Sequence, residues 1–387
     1  MLLYFMQKID PYKSRQRFEE WKNQKITEIS KSNAELLRNY ILDMEKGINT
    51  NGTVKGPRSP IKLLSLVYRI KKIMLLAENK FKLKDLSRIT EEQIHDLFLD
   101  MHSGKIVKAN KQPYKDVADY IKRFKSFWHW YMKRSKKEGK MILDITTDLS
   151  AESRKKPTFV YFTNEQLEKM MKEADYETRV FMIFLFDTGI RSPTEALNIR
   201  VSDFTGDFEE LNIREEIAKT FGRKIRLMMS RDHLRTYVRE NHLKEDDLLF
   251  TFQSPAMNKR LKLIGKKILG KNTTLGREIG SNLTMYDFRH SSACYWLPRY
   301  KSRSALLYRF GWTQEKEIHY YTELLGMKDT ITEEDMLMNV TKTELEKEMV
   351  RMRNEMALVQ KQLEKRKKLD PIINRILNNP KLLSKLG

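Results

Sequence analysis

Between positions 283 and 326 the chain reads LTMYDFRHSSACYWLPRYKSRSALLYRFGWTQEKEIHYYTELLG. A YDFRH run (Tyr286, Asp287, Phe288, Arg289, His290) stands ahead of Gly311-Trp312, and the pair Tyr320-Tyr321 follows. A guanidinium is a planar fork of donors that matches the non-bridging oxygens of a phosphate. A phenol, with an ordinary pKa of about 10, becomes a nucleophile only where nearby positive charge steadies its phenolate. An arginine, an indole and a phenol on one surface of a basic protein therefore suit chemistry on a phosphodiester. RH and YY pairs are also common, and the same aromatic residues could simply fill a helical core.

A second cluster upstream shifts that balance. Asp187-Thr188-Gly189-Ile190-Arg191 is followed by Glu195, Leu197 and Ser202-Asp203, and the segment AKTFGRKIRL, with Lys219 and Lys224, lies between the two clusters. In this order the segments resemble the sequence boxes of the tyrosine recombinases, specifically over residues 163–329 and only in general character before that. The resemblance implies a nucleophile at Tyr321, which lies nine positions after Trp312 as the family's pattern requires; Tyr320 lies one position short. It implies a phosphate clamp from Arg191 and Arg289, and a general acid at Lys219 with Lys224 as its rival. His290 and Glu195 are secondary: His290 as a phosphate neighbour or packing residue, Glu195 as a group orienting Arg191.

Three departures from the pattern stand out. Tyr286 occupies the place where the family usually has histidine; a phenol can donate a hydrogen bond to phosphate but does not carry a proton near neutrality as imidazole does. Trp312 replaces a second histidine, as in some family members, and offers an indole N–H. Glu195 follows Arg191 by four residues rather than three. That spacing, with RFGW and YYTELLG, resembles an archaeal integrase or Xer-like branch.

The composition agrees with a nucleic-acid partner. The 387 residues carry a net charge of +22, and the isoelectric point is near 9.7. Such an excess draws acidic partners, and the basic residues are spread along the chain rather than gathered in one membrane-surface helix. Mean hydropathy is −0.62, no apolar run is long enough to span a bilayer, and MLLYFMQKID is too short for a signal peptide. A single cysteine, Cys294, excludes a disulfide framework and reads as a buried structural thiol; the seven histidines include no His-x3-His or HExxH. No metal and no cofactor are expected, and no Walker-type loop supports nucleotide hydrolysis.

The elements that must position these residues follow from periodicity. Residues 1–14 read as a loose lead-in and residues 15–142 as a helical, DNA-binding domain. Leu63, Val67, Ile70 and Met74 recur at helical spacing after Ser59-Pro60, and Thr90 with Gln93 forms a capping box. The Gly- and Pro-containing stretch 48–60 is a loop. A helix over residues 114–135 presents Val117, Ile121, Phe124, Trp128 and Tyr131 as a core stripe, with Lys115, Lys122, Lys125 and Lys133 around the rest as candidate phosphate contacts.

Residues 143–158 are a polar linker, and residues 159–329 a catalytic domain. Thr163 with Gln166 starts its first helix, and the run Val180–Phe186 is buried. Gly189 makes a sharp helix exit. Leu211, Ile213, Ile225 and Leu227 alternate as a hairpin turning at residues 220–223, with Lys219 at its tip. Residues 330–387 form a helical extension. There Leu345, Met349, Met352, Met356, Val359 and Leu363 keep a heptad seam of fewer than three repeats, marginal alone.

The expected fold is mainly α with a small antiparallel sheet, in the two-domain tyrosine-recombinase architecture. The resemblance implies a site-specific recombinase acting on duplex DNA through a 3′-phosphotyrosine, in integration, excision or dimer resolution. It implies a tetramer in the synaptic complex, accessory DNA-bending or directionality proteins, and a cytoplasmic, nucleoid-associated protein. Two alternatives remain: a catalytically impaired DNA-binding protein of the same fold, and a type IB topoisomerase-like enzyme.

Overall fold

A computed structural model describes residues 8–48, 56–114, 116–150 and 158–326, together with positions 349, 351–357, 359, 360, 363 and 364. Five helices come first: α1 (Ser14–Asn23), α2 (Lys31–Lys46), α3 (Pro60–Phe81), α4 (Glu91–Ser103) and α5 (Val117–Lys137). The expected signals act where the sequence places them. Pro60 opens α3, and Thr90 and Gln93 close a reciprocal capping box on α4. Such a cap contributes about 1 kcal/mol.

The stripe on α5 is core. Phe124 and Trp128 are buried, Tyr131 is half-buried, and Phe127 and Trp130 join them against Tyr40. Burying a phenylalanine contributes about 2 kcal/mol, so this face outweighs the helix's modest intrinsic propensity. Lys122 and Lys133 are exposed and Lys125 is half-buried; Lys115 lies outside the described residues.

The segment read as linker first packs back on this helical half. Leu149 is buried in its core with Ile142 and Ile145 beside it. The Trp128 indole N–H donates to Leu143 O at 2.9 Å, and His129 Nε2 lies 3.1 Å from Asp144 Oδ2. Residues 158–326 then carry α6 (Asn164–Glu173), α7 (Tyr176–Thr188), β1 (Phe204–Thr205), β2 (Glu210–Ile213), β3 (Arg223–Arg226), α8 (Arg231–Glu240), α9 (Ser254–Ile268), α10 (Met285–Trp296), α11 (Arg303–Phe310) and α12 (Lys316–Leu324).

The sheet is antiparallel in the order β1-β2-β3, with Leu211 opposite Ile225 and Ile213 opposite Arg223. The alternation was legible, but the turn was not. Arg223 is a ladder residue pointing into the core, and the connection spans residues 214–222. The two-residue β1 is too short to show a period of two.

Two further findings concern the frame of the site. Asp187, at the end of α7, is fully buried and accepts from the backbone N–H groups of Met228, Met229 and Ser230 and from Arg309. It thereby ties α7, the β3–α8 loop and α11 together. The lead-in, expected to be loose, is anchored over residues 8–12. Ile9 N–H donates to Asn198 Oδ1 at 2.7 Å, Asn198 Nδ2 donates back to Ile9 O at 3.0 Å, and Lys8 Nζ donates to Ile217 O at 3.1 Å.

The chain divides after Leu325. In the C-terminal unit, residues 351–357 are helical, and Met349, Met352, Met356, Val359 and Leu363 are exposed; Leu345 lies outside the described residues. Among the described residues no helix is long and apolar enough to cross a membrane.

Candidate active site

Four elements deliver the site. Helix α7 ends on Gly189 with φ of 58°, where the chain turns sharply; a Cβ there would meet the Phe310 ring at 2.2 Å. Ile190 and Arg191 follow. Helix α10, capped by Thr284 and Asp287, presents Tyr286, Arg289 and His290. Helix α11 ends on Gly311, and Trp312 comes next; α12 carries Tyr320 and Tyr321.

The two arginines called from the sequence meet at the α11 terminus. Arg191 Nη2 donates to Gly311 O at 2.7 Å, while Arg289 Nη2 donates to Phe310 O at 2.6 Å and its Nη1 to Gly189 O at 2.6 Å. Each guanidinium has five N–H donors, so these bonds, together with a Glu195 contact in the case of Arg191, fix its position without exhausting it.

Glu195 is the counter-charge. Its carboxylate accepts from Arg191 Nη1 at 2.9 Å, Arg191 N at 3.2 Å, Arg223 Nη2 at 2.8 Å and Lys219 N at 3.1 Å. Burial alone would push its proton affinity up, but Arg223 and then Arg191 outweigh burial and hold it at about 2. The carboxylate is therefore ionised, and it links Arg191, Arg223 and the backbone of the Lys219 loop.

Arg223 is the residue that sequence reasoning missed. Its side chain is fully buried, its Nε donates to Arg309 O at 2.9 Å, and its Nη1 has no partner. The two-residue alternation Arg223, Ile225, Leu227 was the available signal, since it puts Arg223 on the core face. Two buried guanidiniums, Arg191 and Arg223, thus pair with one carboxylate, and a third, Arg289, joins them at the α11 terminus through Phe310 O. Burial and then Arg191 push Arg289 down to about 10, still cationic at neutrality. Among the described residues this cluster carries more positive than negative charge, which is the electrostatic preparation for an anion.

Tyr321 lies against this cluster, almost completely buried. Its ring stacks on Trp312 at 5.6 Å and 19°, and Trp312 stacks on Phe310 at 4.6 Å. Its hydroxyl lies 2.6 Å from His290 Nδ1. Burial raises the phenol well above 10, with Arg289 pulling the other way. His290, stacked on Phe159 at 4.4 Å, is lowered to about 4 by burial and then by Arg289.

The other sequence candidates divide. Tyr286 is 48% exposed and packs edge-on to His290, with ring centroids 5.1 Å apart. Lys219 is held by its backbone to Glu195, and its side chain is exposed. Lys224 is also exposed but projects from β3 on the side opposite Arg223, with its N–H donating to the Tyr308 hydroxyl at 3.1 Å. Tyr320 is half-buried, packs edge-on to Phe159, and borders a cleft of about 160 Å³ with Leu275, Arg277, Glu323 and Leu324. Cys294 is buried and its thiol is pushed up to about 12, which fits an inert core role. Among the described residues no three His, Cys, Asp or Glu side chains are grouped to hold a metal ion. Lys122, Lys125 and Lys133 belong to the helical half and are not part of this cluster.

No curated protein matches the chain. Its fold is similar to that of the XerH site-specific recombinase bound to difH substrate in a pre-cleavage complex (TM-score 0.50, 16% identity, covering 80% of this chain and 91% of that one). It is similar to a lambda integrase dimer bound to a COC′ core site (TM-score 0.54, 15% identity, 82% and 87%). It is also similar to the Tn1549 transposon integrase in complex with transposon right end DNA (TM-score 0.51, 13% identity, 79% and 97%). At these identities the likeness is one of fold: mainly helical, with a small three-stranded antiparallel sheet. Residues 161–328, the stretch that holds Arg191, Glu195, Lys219, Arg289, Trp312 and Tyr321, match the phage integrase family.

Proposed function

We propose that the chain cuts and rejoins duplex DNA as a site-specific recombinase, with Tyr321 as the nucleophile. The observation that carries this reading is the buried arginine cluster, cationic in excess of Glu195, with the Tyr321 phenol against it. A phosphodiester held by Arg191 and Arg289 would be attacked by Tyr321 Oη. The products are a 3′-phosphotyrosine and a free 5′-hydroxyl, and a 5′-hydroxyl from another duplex reverses the step without metal or ATP.

Lys219 protonates the leaving oxygen in this scheme. Its loop is bonded to the Glu195 carboxylate that also holds Arg191, whereas Lys224 lacks that link. Tyr286 and Trp312 donate hydrogen bonds to the phosphate rather than protons. Lys122, Lys125 and Lys133 on α5 contact the DNA backbone in the helical half. Strand exchange between paired sites calls for a tetramer, and the exposed C-terminal seam serves protomer contacts. The family match and the archaeal-like spacing of Glu195 favour an integrase or Xer-like role in the cytoplasm.

The test uses duplexes selected from a random pool by binding to the full chain, then nicked at successive positions. The native protein should become covalently attached to nicked DNA, and Tyr321→Phe should bind equally well yet form no adduct. Attachment by Tyr321→Phe at the native rate would refute the reading.

A further inference from the structure

Tyr286 stands exposed at the place where the family usually has histidine and does not carry a proton near neutrality, so Tyr321 needs another acceptor. The contact already exists one helical turn along α10. His290 Nδ1 lies 2.6 Å from the Tyr321 hydroxyl. Residues four apart share a helix face, and the Tyr286 ring packs edge-on to the His290 ring at 5.1 Å.

The imidazole is also held rigidly. Its ring stacks on Phe159 at 4.4 Å and 20°. Phe159 is itself fixed by its backbone N–H to Gly276 O at 2.9 Å, and Val160 N–H is bonded to Asp287 Oδ1 at 2.8 Å. From the other side Tyr321 is held by stacking on Trp312.

Building on the proposed recombinase reading, we infer that His290 is the general base that takes the Tyr321 proton during DNA cleavage and returns it during rejoining. As the Tyr321 Oη–phosphorus bond forms and the phosphorus–5′-oxygen bond breaks, the phenolic proton passes to His290 Nδ1. The leaving oxygen is protonated independently, from Lys219. In the reverse direction the attacking 5′-hydroxyl gives its proton back to Lys219 and the imidazolium returns its proton to the departing phenolate, so protons balance over the cycle.

The direction of the hydrogen bond supports this. The buried phenol keeps its proton, and the imidazole, depressed by burial and by Arg289, is neutral across the physiological range. Tyr321 therefore donates and Nδ1 accepts, which places the imidazole proton on Nε2. A phosphate arriving at Arg289 offsets one of the two causes of that depression, so proton affinity rises where the substrate is present.

The test measures single-turnover adduct formation on the same selected, nicked duplexes. His290→Gln keeps a hydrogen-bond acceptor beside Tyr321 but cannot take a proton. It should bind DNA normally and form adduct about 10²-fold more slowly, the lower end of what a general base contributes. Adduct formation by a folded His290→Gln at the native rate would overturn the inference alone. Absence of any adduct from the native protein would remove the recombinase reading along with it.

A second measurement needs no variant. With sulfur at the 5′-bridging position the leaving group requires no proton, so a slower rate in D2O reports the Tyr321 proton. That slowing should persist on the sulfur substrate, and its disappearance would also overturn the inference.

Discussion

Glu195 shows how one buried carboxylate organises the site. It is fully buried, accepts four hydrogen bonds and separates Arg191 from Arg223. Its proton affinity is depressed to about 2 in the folded chain, against about 4.3 when unfolded. A depressed carboxylate contributes stability that is fully present above the unfolded value and is lost as pH falls towards the folded one. That contribution is on the order of 3 kcal/mol. Glu195→Gln should therefore lower stability by about 3–5 kcal/mol near neutrality, because it strands buried cations. In denaturant unfolding across pH, the gap between the native protein and Glu195→Gln should be constant above about pH 5 and narrow from there towards pH 2. A gap independent of pH would contradict the assignment.

At the scale of elements, the α11 terminus is the point on which the arginines converge. Gly311 sits at φ of 58°, and a Cβ there would lie 3.0 Å from Arg223 Nη1 and 3.1 Å from Arg191 Nη1 and Thr220 Oγ1. Left-handed backbone costs an alanine about 1–2 kcal/mol, and the added methyl pushes on both guanidiniums. Gly311→Ala should lower the melting temperature and slow adduct formation while leaving DNA affinity close to native; unchanged adduct kinetics would contradict this account. The elements themselves were largely legible, since capping residues such as Thr90, Gln93, Thr163 and Gln166 act within one turn of chain. Arg191, Arg289 and Tyr321 were candidates from the resemblance of their order and spacing to the family's boxes, and the fold brings them to one place. What the sequence did not reveal are contacts made across long separations. These are Arg223 with Glu195, Arg309 with Asp187, His290 with Tyr321 and Asn198 with Ile9. No local period encodes which buried polar groups will meet.

Over the whole molecule the net charge of +22 is far larger than the local excess at the site. Counterions released from DNA should therefore dominate binding, and affinity should fall steeply as salt rises. A nearly flat plot of log affinity against log salt would show that the charge is not used this way. The anchored lead-in adds a structural element at this scale. Through Lys8 and Ile9 it clips residues preceding the helical half onto Asn198 and the carbonyl of Ile217, two residues from Lys219. The exposed methionine seam of the C-terminal unit supplies the kind of surface that a second protomer could cover.

The most direct test of the central claim is to identify the residue that carries DNA after cleavage. The native chain is trapped on nicked duplex and digested, and the DNA-linked peptide is sequenced by mass spectrometry. Neighbouring helical residues point about 100° apart, so only one of the two tyrosines can face the phosphate. The account predicts the linkage on Tyr321, stacked on Trp312 and bonded to His290. DNA found on Tyr320, or on neither tyrosine, would contradict it.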